Sequence, residues 1–279
     1  MSKHRLSRRK RAIAWTSAGI TLSVGGALTA NAVVTAPTPK LPAPSLYAGR
    51  AFDTCTAPSL SAMKAWKSSN FYGAAAVYIG GKNRGCAQPQ LTPSWVKSVS
   101  ASGWKLIPLY VGAQPPCQTG RSPDRIAAST AASHGAKDGA DAVAKATTLG
   151  MKAGSALYLD MEPYDINNPG CNNAVLTYVR AWNRAVHAKG YWAGFYGFRS
   201  TSAAAVATAK DRTDLPDIMW YALWNHTRTT TRDWPWNPSL WTKHRRAHQY
   251  WANSKETRGG VTLTVDRNDW DAPVAITAK

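Results

Sequence analysis

The chain has 279 residues, of which 44% are hydrophobic and 10% aromatic, and it carries 34 Lys and Arg residues against 15 Asp and Glu. This length and apolar content are sufficient for one large barrel or two small domains, and a single domain is the simpler interpretation. The sequence has no GxSxG nucleophile motif and no glycine-rich phosphate loop, which argues against a serine hydrolase and a nucleotide-binding protein.

The first 32 residues have the order of a secretory signal peptide. A basic stretch over residues 3–11 precedes a modestly apolar run over 12–28, and small residues follow. Thr, Ser and Gly interrupt the apolar run, so no transmembrane anchor is expected after cleavage. We expect cleavage after Ala32 or Ala36. Ser7-Arg8-Arg9 resembles a twin-arginine signal, and both the general secretory and the twin-arginine route stay open.

The charge bears on where the exported chain resides. The signal segment holds six of the basic residues and no acidic ones, so a net charge near +13 remains. Outside the cell this charge favours electrostatic association with anionic cell-wall polymers, although a soluble cationic surface without a specific partner is an equal alternative. The basic residues are dispersed along the chain, which predicts no specific nucleic-acid partner. We therefore expect a secreted protein, extracellular or cell-wall associated.

Four cysteines remain after export, at positions 55, 86, 117 and 171. An even number in an exported chain favours two disulfides with three possible connectivities. The preferred pairs are Cys55 with Cys86 and Cys117 with Cys171, because each pair joins loops that follow adjacent predicted strands. There is no CxxC pair and the histidines lack ligand spacing, so neither a metal site nor a cofactor is predicted.

Short apolar runs alternate with amphipathic segments beyond a proline-rich linker over residues 33–45, and we assign 46–279 to one domain. The predicted strands are 47–53, 74–80, 105–111, 155–162, 191–197, 218–223, 247–251 and 261–268. The predicted helices are 58–69, 92–103, 135–149, 172–189 and 201–210. This alternation predicts a (β/α)₈ TIM barrel with all strands parallel and disulfides in the loops. A doubly wound open sheet is less favoured, because the turn after the first strand lacks glycines.

Polar and aromatic residues end these strands, and the carboxyl ends of barrel strands form the face where barrel enzymes keep their sites. The candidate residues for this mouth are Asp53, Tyr78, Tyr110, Asp160, Glu162, Tyr196, Trp220, Trp224, Gln249, Asp266 and Asn268. Of these, the catalytic candidates are the three acids Asp53, Asp160 and Glu162, and the others are predicted to bind the substrate.

Asp160 and Glu162 are two residues apart in a predicted strand, so their side chains share one face and can contest one proton. A glycosidase needs one carboxyl group that stays protonated and a second that stabilises positive charge at the sugar. Glu162 is therefore predicted as the general acid/base, and Asp160 as the charge stabiliser or orienting group. The alternative is that one carboxylate forms an ion pair with a Lys or Arg while the other is solvated.

Asp53 and Asp266 close the first and eighth predicted strands, so barrel closure should bring them together. Substrate positioning or pKa tuning is one interpretation, and backbone capping with ion pairs to Arg50 or Arg267 is the other. Trp220 and Trp224 are predicted as aromatic walls of a groove, which suit stacking against sugar rings.

Several motifs occur together: FDTC at 52–55, YIGG at 78–81, YLDMEP at 158–163, GFYG at 194–197, HQYW at 248–251 and VDRND at 265–269. From Ala48 onward the chain resembles the glycoside-hydrolase-like domain of secreted actinobacterial proteins. It is more distantly similar to the family 25 muramidases, which carry an aspartate ending strand one, a D-x-E on strand four and a D-x-N on strand eight. Here those positions are Asp53, Asp160 with Glu162, and Asp266 with Asn268.

The resemblance implies cleavage of a β-linked amino-sugar glycan with retention. In that scheme Glu162 is the acid, and Asp160 helps the N-acetyl group of the substrate to attack. Cys55 stands where muramidases commonly have a serine. The leading hypothesis is a glycosidase acting on peptidoglycan or a related polysaccharide, and a non-catalytic envelope glycan-binding protein is the alternative. Carboxyl groups buried in an open groove would favour catalysis.

Overall fold

The computed structural model describes residues 40–277, which form a closed barrel of eight strands in sequence order. The strands are β1 Ser45–Asp53, β2 Ala74–Gly80, β3 Lys105–Val111, β4 Ala156–Met161, β5 Trp192–Phe198, β6 Ile218–Ala222, β7 Arg246–Arg258 and β8 Val261–Val274. The helices are α1 Leu60–Ser68, α2 Pro93–Ala101, α3 Ala131–Thr148, α4 Pro169–His187 and α5 Ser202–Ala207. The predicted barrel is confirmed. The predicted signal peptide and the first part of the predicted linker lie outside the described residues.

The direction of β8 differs from the prediction of an all-parallel barrel. Strands β1 to β7 run parallel to one another, but β8 is antiparallel to both β7 and β1. Only Gly259 and Gly260 connect β7 to β8, both with positive φ, and such a two-residue turn joins antiparallel strands. A parallel eighth strand would need a crossover of about a dozen residues, which this connection does not supply.

Side chains alternate across the barrel wall and separate two apolar layers. The inner layer fills the barrel with Tyr158, Trp220 and Trp270, whose ring centroids lie 5.1–6.0 Å apart. The outer layer packs between the strands and the helices, and it includes Phe52 and Trp182. The face to which a residue belongs therefore decides whether its side chain can reach the mouth.

Helix starts follow local capping chemistry. Ser59, Thr92 and Asn168 each accept a hydrogen bond from the backbone N–H three residues later, at the N-termini of α1, α2 and α4. Helix α3 begins at Ala131, before the predicted start at Gly135, so this glycine lies inside the helix, where it packs against α4. A Cβ at Gly135 would lie 2.2 Å from the carbonyl oxygen of Tyr178 on α4, so only glycine permits this approach.

The outer face near β6, β7 and β8 is covered without long helices in the described part of the chain. Trp234 and Trp236, from the β6–β7 connection, pack edge-on against Tyr221 of β6. The β7–β8 hairpin lies against α1, where the indole nitrogen of Trp66 donates to the carbonyl of Val261 at 2.9 Å. The barrel thus has a helix-covered side and a side covered by a loop and a hairpin.

Two disulfides join segments that follow adjacent strands: Cys55, Cys86 and Cys117 lie in loops, and Cys171 lies in the first turn of α4. Cys55 pairs with Cys86 and Cys117 with Cys171, at Cα–Cα distances of 5.7 and 5.9 Å. The preferred pairing is confirmed. Within residues 40–277, no helix is both long and apolar enough to cross a membrane.

Candidate functional site

Four carboxyl groups gather at the mouth formed by the carboxyl ends of β1 and β4. Asp53 is the last residue of β1 and Asp160 lies near the end of β4, with 2% and 4% of their surfaces exposed. Glu162 follows β4 and is half-buried. Asp266 lies opposite Asp53 in the β1–β8 register. Asp266 therefore reaches the mouth from within a reversed strand, whereas the sequence analysis placed it at the end of a parallel one.

Asp53 is held by two side-chain amides. Asn268 Nδ2 donates to its Oδ2 at 2.7 Å, and Gln249 Nε2 lies 3.1 and 3.3 Å from its two oxygens. Burial, reinforced by the negative charge of Asp266, raises the pKa of Asp53 to about 8. Asp53 therefore carries a proton at neutral pH. Burial also raises the pKa of Asp266, whose Oδ1 accepts the backbone N–H of Asn253 at 2.6 Å.

The proposed ion pairs of these two aspartates with Arg50 or Arg267 are wrong. Arg267 Nε instead donates to Glu256 at 2.7 Å, and the guanidinium of Arg50 lies 4.5 Å from the ring centroid of Phe71. Both arginines are engaged elsewhere, so no cation neutralises the Asp53 and Asp266 pair from these positions.

Asp160 and Glu162 share one face, as their spacing predicts. Burial and then the charges of Glu162 and Asp53 raise the pKa of Asp160 well above its usual value. Burial raises the pKa of Glu162 as well. Among the described residues neither acid forms a salt bridge, and Oδ1 of Asp160 has no hydrogen-bond partner although it is buried. The ion-pair alternative for these two acids is therefore wrong.

Two tyrosines stand among the acids. Burial and the charges of Asp53 and Asp160 raise the pKa of Tyr78 well above its usual value, so the phenol keeps its proton. The pKa of Tyr196 is raised by burial and the same two acids, and its hydroxyl donates to Gln249 Oε1 at 2.9 Å. Both side chains lie on the inner face, as predicted for mouth residues.

Gln249 links the acids to the rim. Its Oε1 accepts from Tyr196 and from the indole nitrogen of Trp224, each at 2.9 Å, which leaves Nε2 directed at Asp53. Trp224 is 50% exposed and packs edge-on against Phe198 at 5.3 Å. These two rings form the aromatic rim of the mouth. Phe198 was missed by the sequence analysis, although it lies two residues beyond Tyr196 on the same face.

Two predicted substrate-binding residues do not reach the open mouth. Trp220 is fully buried inside the barrel, and its indole nitrogen donates to Asn268 Oδ1 at 2.8 Å. It therefore orients Asn268 from below and cannot be a groove wall. Tyr110 points to the helix side, where its hydroxyl donates to Asp141 on α3 at 3.0 Å. Its inner-face neighbour is Leu109, because side chains alternate along β3.

A cavity of about 420 Å³ opens beside Asp53 and Asp266. Its lining residues are Asp53, Thr54, Cys55, Thr56, Tyr78, Asn253, Thr264 and Asp266. Thr264 and Asn253 come from the β7–β8 hairpin and were missed, because they reach the mouth only through the antiparallel pairing. The Cys55 disulfide forms part of the wall, at the position where the resemblance indicates a serine.

One group elsewhere has the side chains to hold a metal ion. Ligand atoms of Asp124, His134 and Asp138 lie within 4.8 Å of one another. His134 Nε2 is 3.2 Å from Asp124, and Asp138 also accepts from the hydroxyl of Tyr178 and the backbone N–H of Ala113. These groups bond one another beside α3 and are separate from the four acids of the mouth.

A closed eight-stranded barrel with buried carboxyl groups at the carboxyl ends of its parallel strands is the arrangement expected of a glycoside-hydrolase-like protein. The protein can be assigned more narrowly. The chain belongs to the family of Rv2525c-like, glycoside hydrolase-like domains, whose model matches residues 64–270. The resemblance to the glycoside-hydrolase-like family stated from the sequence motifs is thereby confirmed.

Solved structures share the fold. An uncharacterized protein of B. stearothermophilus has a TM-score of 0.53 at 16% identity, covering 80% of this chain and 96% of its own. The Tat-secreted protein Rv2525c of Mycobacterium tuberculosis, in complex with L-tartrate, has a TM-score of 0.53 at 17% identity with the same coverages. The modular autolysin LytC of Streptococcus pneumoniae has a TM-score of 0.55 at 15% identity, covering 80% of this chain and 47% of LytC. No curated protein sequence matches this chain.

Proposed function

We propose that this chain is an exported glycosidase that hydrolyses peptidoglycan or a related envelope polysaccharide with retention. The observation that carries this proposal is the pair Asp160 and Glu162: two neighbouring carboxyl groups at the end of β4, with raised pKa values and no salt bridge among the described residues. The autolysin LytC supports a cell-wall substrate through its shared fold, and the Tat-secreted Rv2525c and the two disulfides support export.

The two acids have separate roles in the proposed reaction. Protonated Glu162 gives its proton to the glycosidic oxygen as the bond to the anomeric carbon breaks. The acetamido carbonyl oxygen of the same sugar attacks that carbon and forms a cyclic intermediate, while Asp160 accepts the acetamido N–H. Ionised Glu162 then takes a proton from water, whose oxygen attacks the anomeric carbon. The second displacement restores the original configuration and the proton on Glu162.

Substrate binding places the shared proton in this scheme. In the empty mouth the deeper carboxyl group, Asp160, keeps its proton more strongly, because burial and the charge of Glu162 both oppose its ionisation. In the proposal, substrate binding exposes the buried Oδ1 to an acetamido N–H, which stabilises ionised Asp160, and the remaining proton then resides on Glu162. Binding of the attacking acetamido group therefore leaves Glu162 protonated, as the proposed acid must be.

Asp53 and Asp266 tune the mouth in this proposal. Asp53 holds a proton at neutral pH, which limits the negative charge facing Asp160. The basic exterior is proposed to retain the protein on anionic cell-wall polymers through screened electrostatic attraction.

The test compares wild-type protein with Glu162→Gln on purified cell wall and follows the release of reducing ends. We expect release by the wild type and its loss in the variant. Asp211→Asn is the matched control, because this acid is exposed in the loop before β6. Equal release by wild type and Glu162→Gln would remove Glu162 from the mechanism.

A second function, glycan binding without cleavage, is favoured by one observation. Trp224 is half exposed beside Phe198, and such an aromatic edge suits stacking against a sugar ring. Cosedimentation with insoluble peptidoglycan tests this function. Binding by the wild type without any release of reducing ends would establish the binding role over the enzymatic one.

A further inference from the structure

The side chain of Gln114 lies beside the segment that carries Asp160 and Glu162. Gln114 is in the loop after β3 and is 1% exposed. Its Nε2 donates to the carbonyl of Asp160 at 3.0 Å, and its Oε1 accepts the backbone N–H of Glu162 at 2.9 Å. One side-chain amide therefore binds the backbone on both sides of Met161.

These two hydrogen bonds reproduce a rung of parallel sheet. The β3–β4 register ends with Val111 opposite Asp160. In a parallel ladder the next residue of β3 would donate to the Asp160 carbonyl and accept from the Glu162 N–H. Gly112 occupies that position in sequence, but its carbonyl instead accepts from Gln114 Nε2 at 3.1 Å and from Asn83 Nδ2 at 2.8 Å. The Gln114 amide thus accepts the Glu162 N–H in place of the Gly112 carbonyl and also donates to the Asp160 carbonyl.

The backbone of Gln114 is itself anchored, so the side chain is held in place from both ends. Its N–H donates to the carbonyl of Asp124 at 3.0 Å, and its carbonyl accepts from Ile126 at 2.9 Å. Asn83, from the loop after β2, also donates to the Asp124 carbonyl at 2.8 Å. The loops after β2 and β3 thus support the end of β4 through Gln114.

We propose that Gln114 is a positioning residue that extends β4 past its last sheet partner and so fixes Asp160 and Glu162 on the same face. Glu162 lies beyond the end of β4, where a chain without this amide could rotate and turn the carboxyl group away from Asp160. This inference rests on the proposed function for its effect on catalysis, whereas the backbone role can be measured independently.

The first variant is Gln114→Met, which keeps the length of the side chain and removes both hydrogen bonds. We expect kcat on cell wall to fall about 100-fold with little change in KM, because a small displacement of a reacting group has effects of this size. The control is Asn183→Ala, which removes another fully buried side-chain amide, on α4. The Nδ2 of Asn183 donates to the backbone carbonyl of Asp214, in the loop before β6, at 2.7 Å. Both variants are compared at matched folded fraction.

The second variant, Gln114→Glu, supplies a readout that a general loss of packing would not move. A protonated carboxylic acid can donate to the Asp160 carbonyl and accept from the Glu162 N–H, as the amide does, whereas a carboxylate cannot donate. Activity relative to wild type should therefore rise several-fold from about pH 8 to about pH 5, as the introduced group gains its proton. A ratio independent of pH, or wild-type activity in Gln114→Met, would overturn the proposal.

Backbone hydrogen exchange at the Glu162 amide separates this proposal from the enzymatic one. We expect exchange at least about 10-fold faster in Gln114→Met than in wild type, with no such change in Asn183→Ala. Unchanged exchange at Glu162 would overturn the positioning role whatever the activity. If wild type released no reducing ends, the proposed function would fail, and the exchange measurement would still decide the role of Gln114.

Discussion

Two pairs of acids face each other across the mouth and are built in different ways. Asp53 and Asp266 lie opposite each other on antiparallel strands, and two amides hold Asp53 in place. Asp160 and Glu162 lie at the end of a single strand, and Asp160 has an oxygen without a partner. The first pair is held by hydrogen bonds within the protein, whereas Asp160 keeps a buried oxygen that no described residue pairs. Burial alone therefore does not distinguish the pair proposed to react from the pair held by the protein itself.

The largest difference between the pairs is expected in catalysis. Glu162→Gln should lower kcat on cell wall by about 10²–10⁴-fold, because it removes the proposed proton donor. Asp266→Asn should lower it far less, since Asp266 acts only through the charge of the mouth. Steady-state release of reducing ends measures both variants. Equal losses would mean that the two pairs form one functional unit.

Asp160→Asn is expected to lower kcat by about 100-fold, because a neutral amide cannot stabilise charge on the acetamido group during attack. Asp53→Asn retains a neutral group that can still accept from Asn268, so its activity at neutral pH should stay close to that of wild type. The comparison uses the same wall substrate at about pH 6 to 7, below the raised pKa of Asp53. A larger loss in Asp53→Asn than in Asp160→Asn would reverse the assignment of the two pairs.

The pH dependence of the free energy of unfolding should distinguish Asp53 from an ordinary ion-paired acid. The folded pKa of Asp53, about 8, lies above the usual value of 3.8, so native protein binds more protons and loses stability as pH rises between these values. Asp53→Asn should therefore raise the free energy of unfolding by roughly 1–3 kcal/mol above about pH 8 and leave it unchanged near pH 4. Urea unfolding at both pH values measures this difference.

Glu256 provides the control of opposite sign. Burial would raise its pKa, but hydrogen bonds from Tyr72, Arg258 and Arg267 lower it below the usual value. Its contribution to stability is therefore present above the unfolded pKa and is lost as pH falls. Glu256→Gln should destabilise the protein at neutral pH and have little effect in acid. The same pH dependence for both variants would contradict the raised pKa of Asp53.

The smallest effect is expected at the rim. Trp224→Ala should raise KM for wall glycan several-fold and leave kcat within about twofold, because the indole contacts the substrate away from the acids. The indole also donates to Gln249, so Trp224→Phe distinguishes stacking from hydrogen bonding. Retention of KM in the phenylalanine variant would assign the effect to the ring face.

Much of the mouth could be predicted from strand periodicity. Asp160 and Glu162 are two residues apart, and the charge of Glu162 acts on Asp160, as expected for side chains on one face. Asp266 and Asn268 have the same spacing, and both lie beside Asp53. Periodicity failed for Tyr110, because both faces of β3 are buried and the pattern of apolar residues does not show which face is the inner one. Periodicity also predicted Trp220 wrongly as a groove wall. Residue spacing gives the side of the barrel wall on which a side chain lies, but not its depth along the barrel axis.

Other features depend on contacts that strand patterns do not contain. The reversed direction of β8 was signalled by Gly259-Gly260, a typical hairpin turn, but its alternation fits either direction. Gln114 lies in a loop of irregular conformation, and its role depends on where β3 leaves the sheet. Periodicity gives the face of a residue within a strand and gives no information where a strand has ended.

The seam between β1 and β8 has a consequence for how the protein folds. Asp53 meets Gln249 and Asn268, which are 196 and 215 positions away in sequence, only when the last strand closes the barrel. Contacts of such long range form late and slowly compared with the β4 segment, whose acids are already adjacent. During folding, the proposed acid pair on β4 would therefore be in place before the opposing pair is assembled. The mouth is complete only when all the barrel strands, from β1 to β8, have paired.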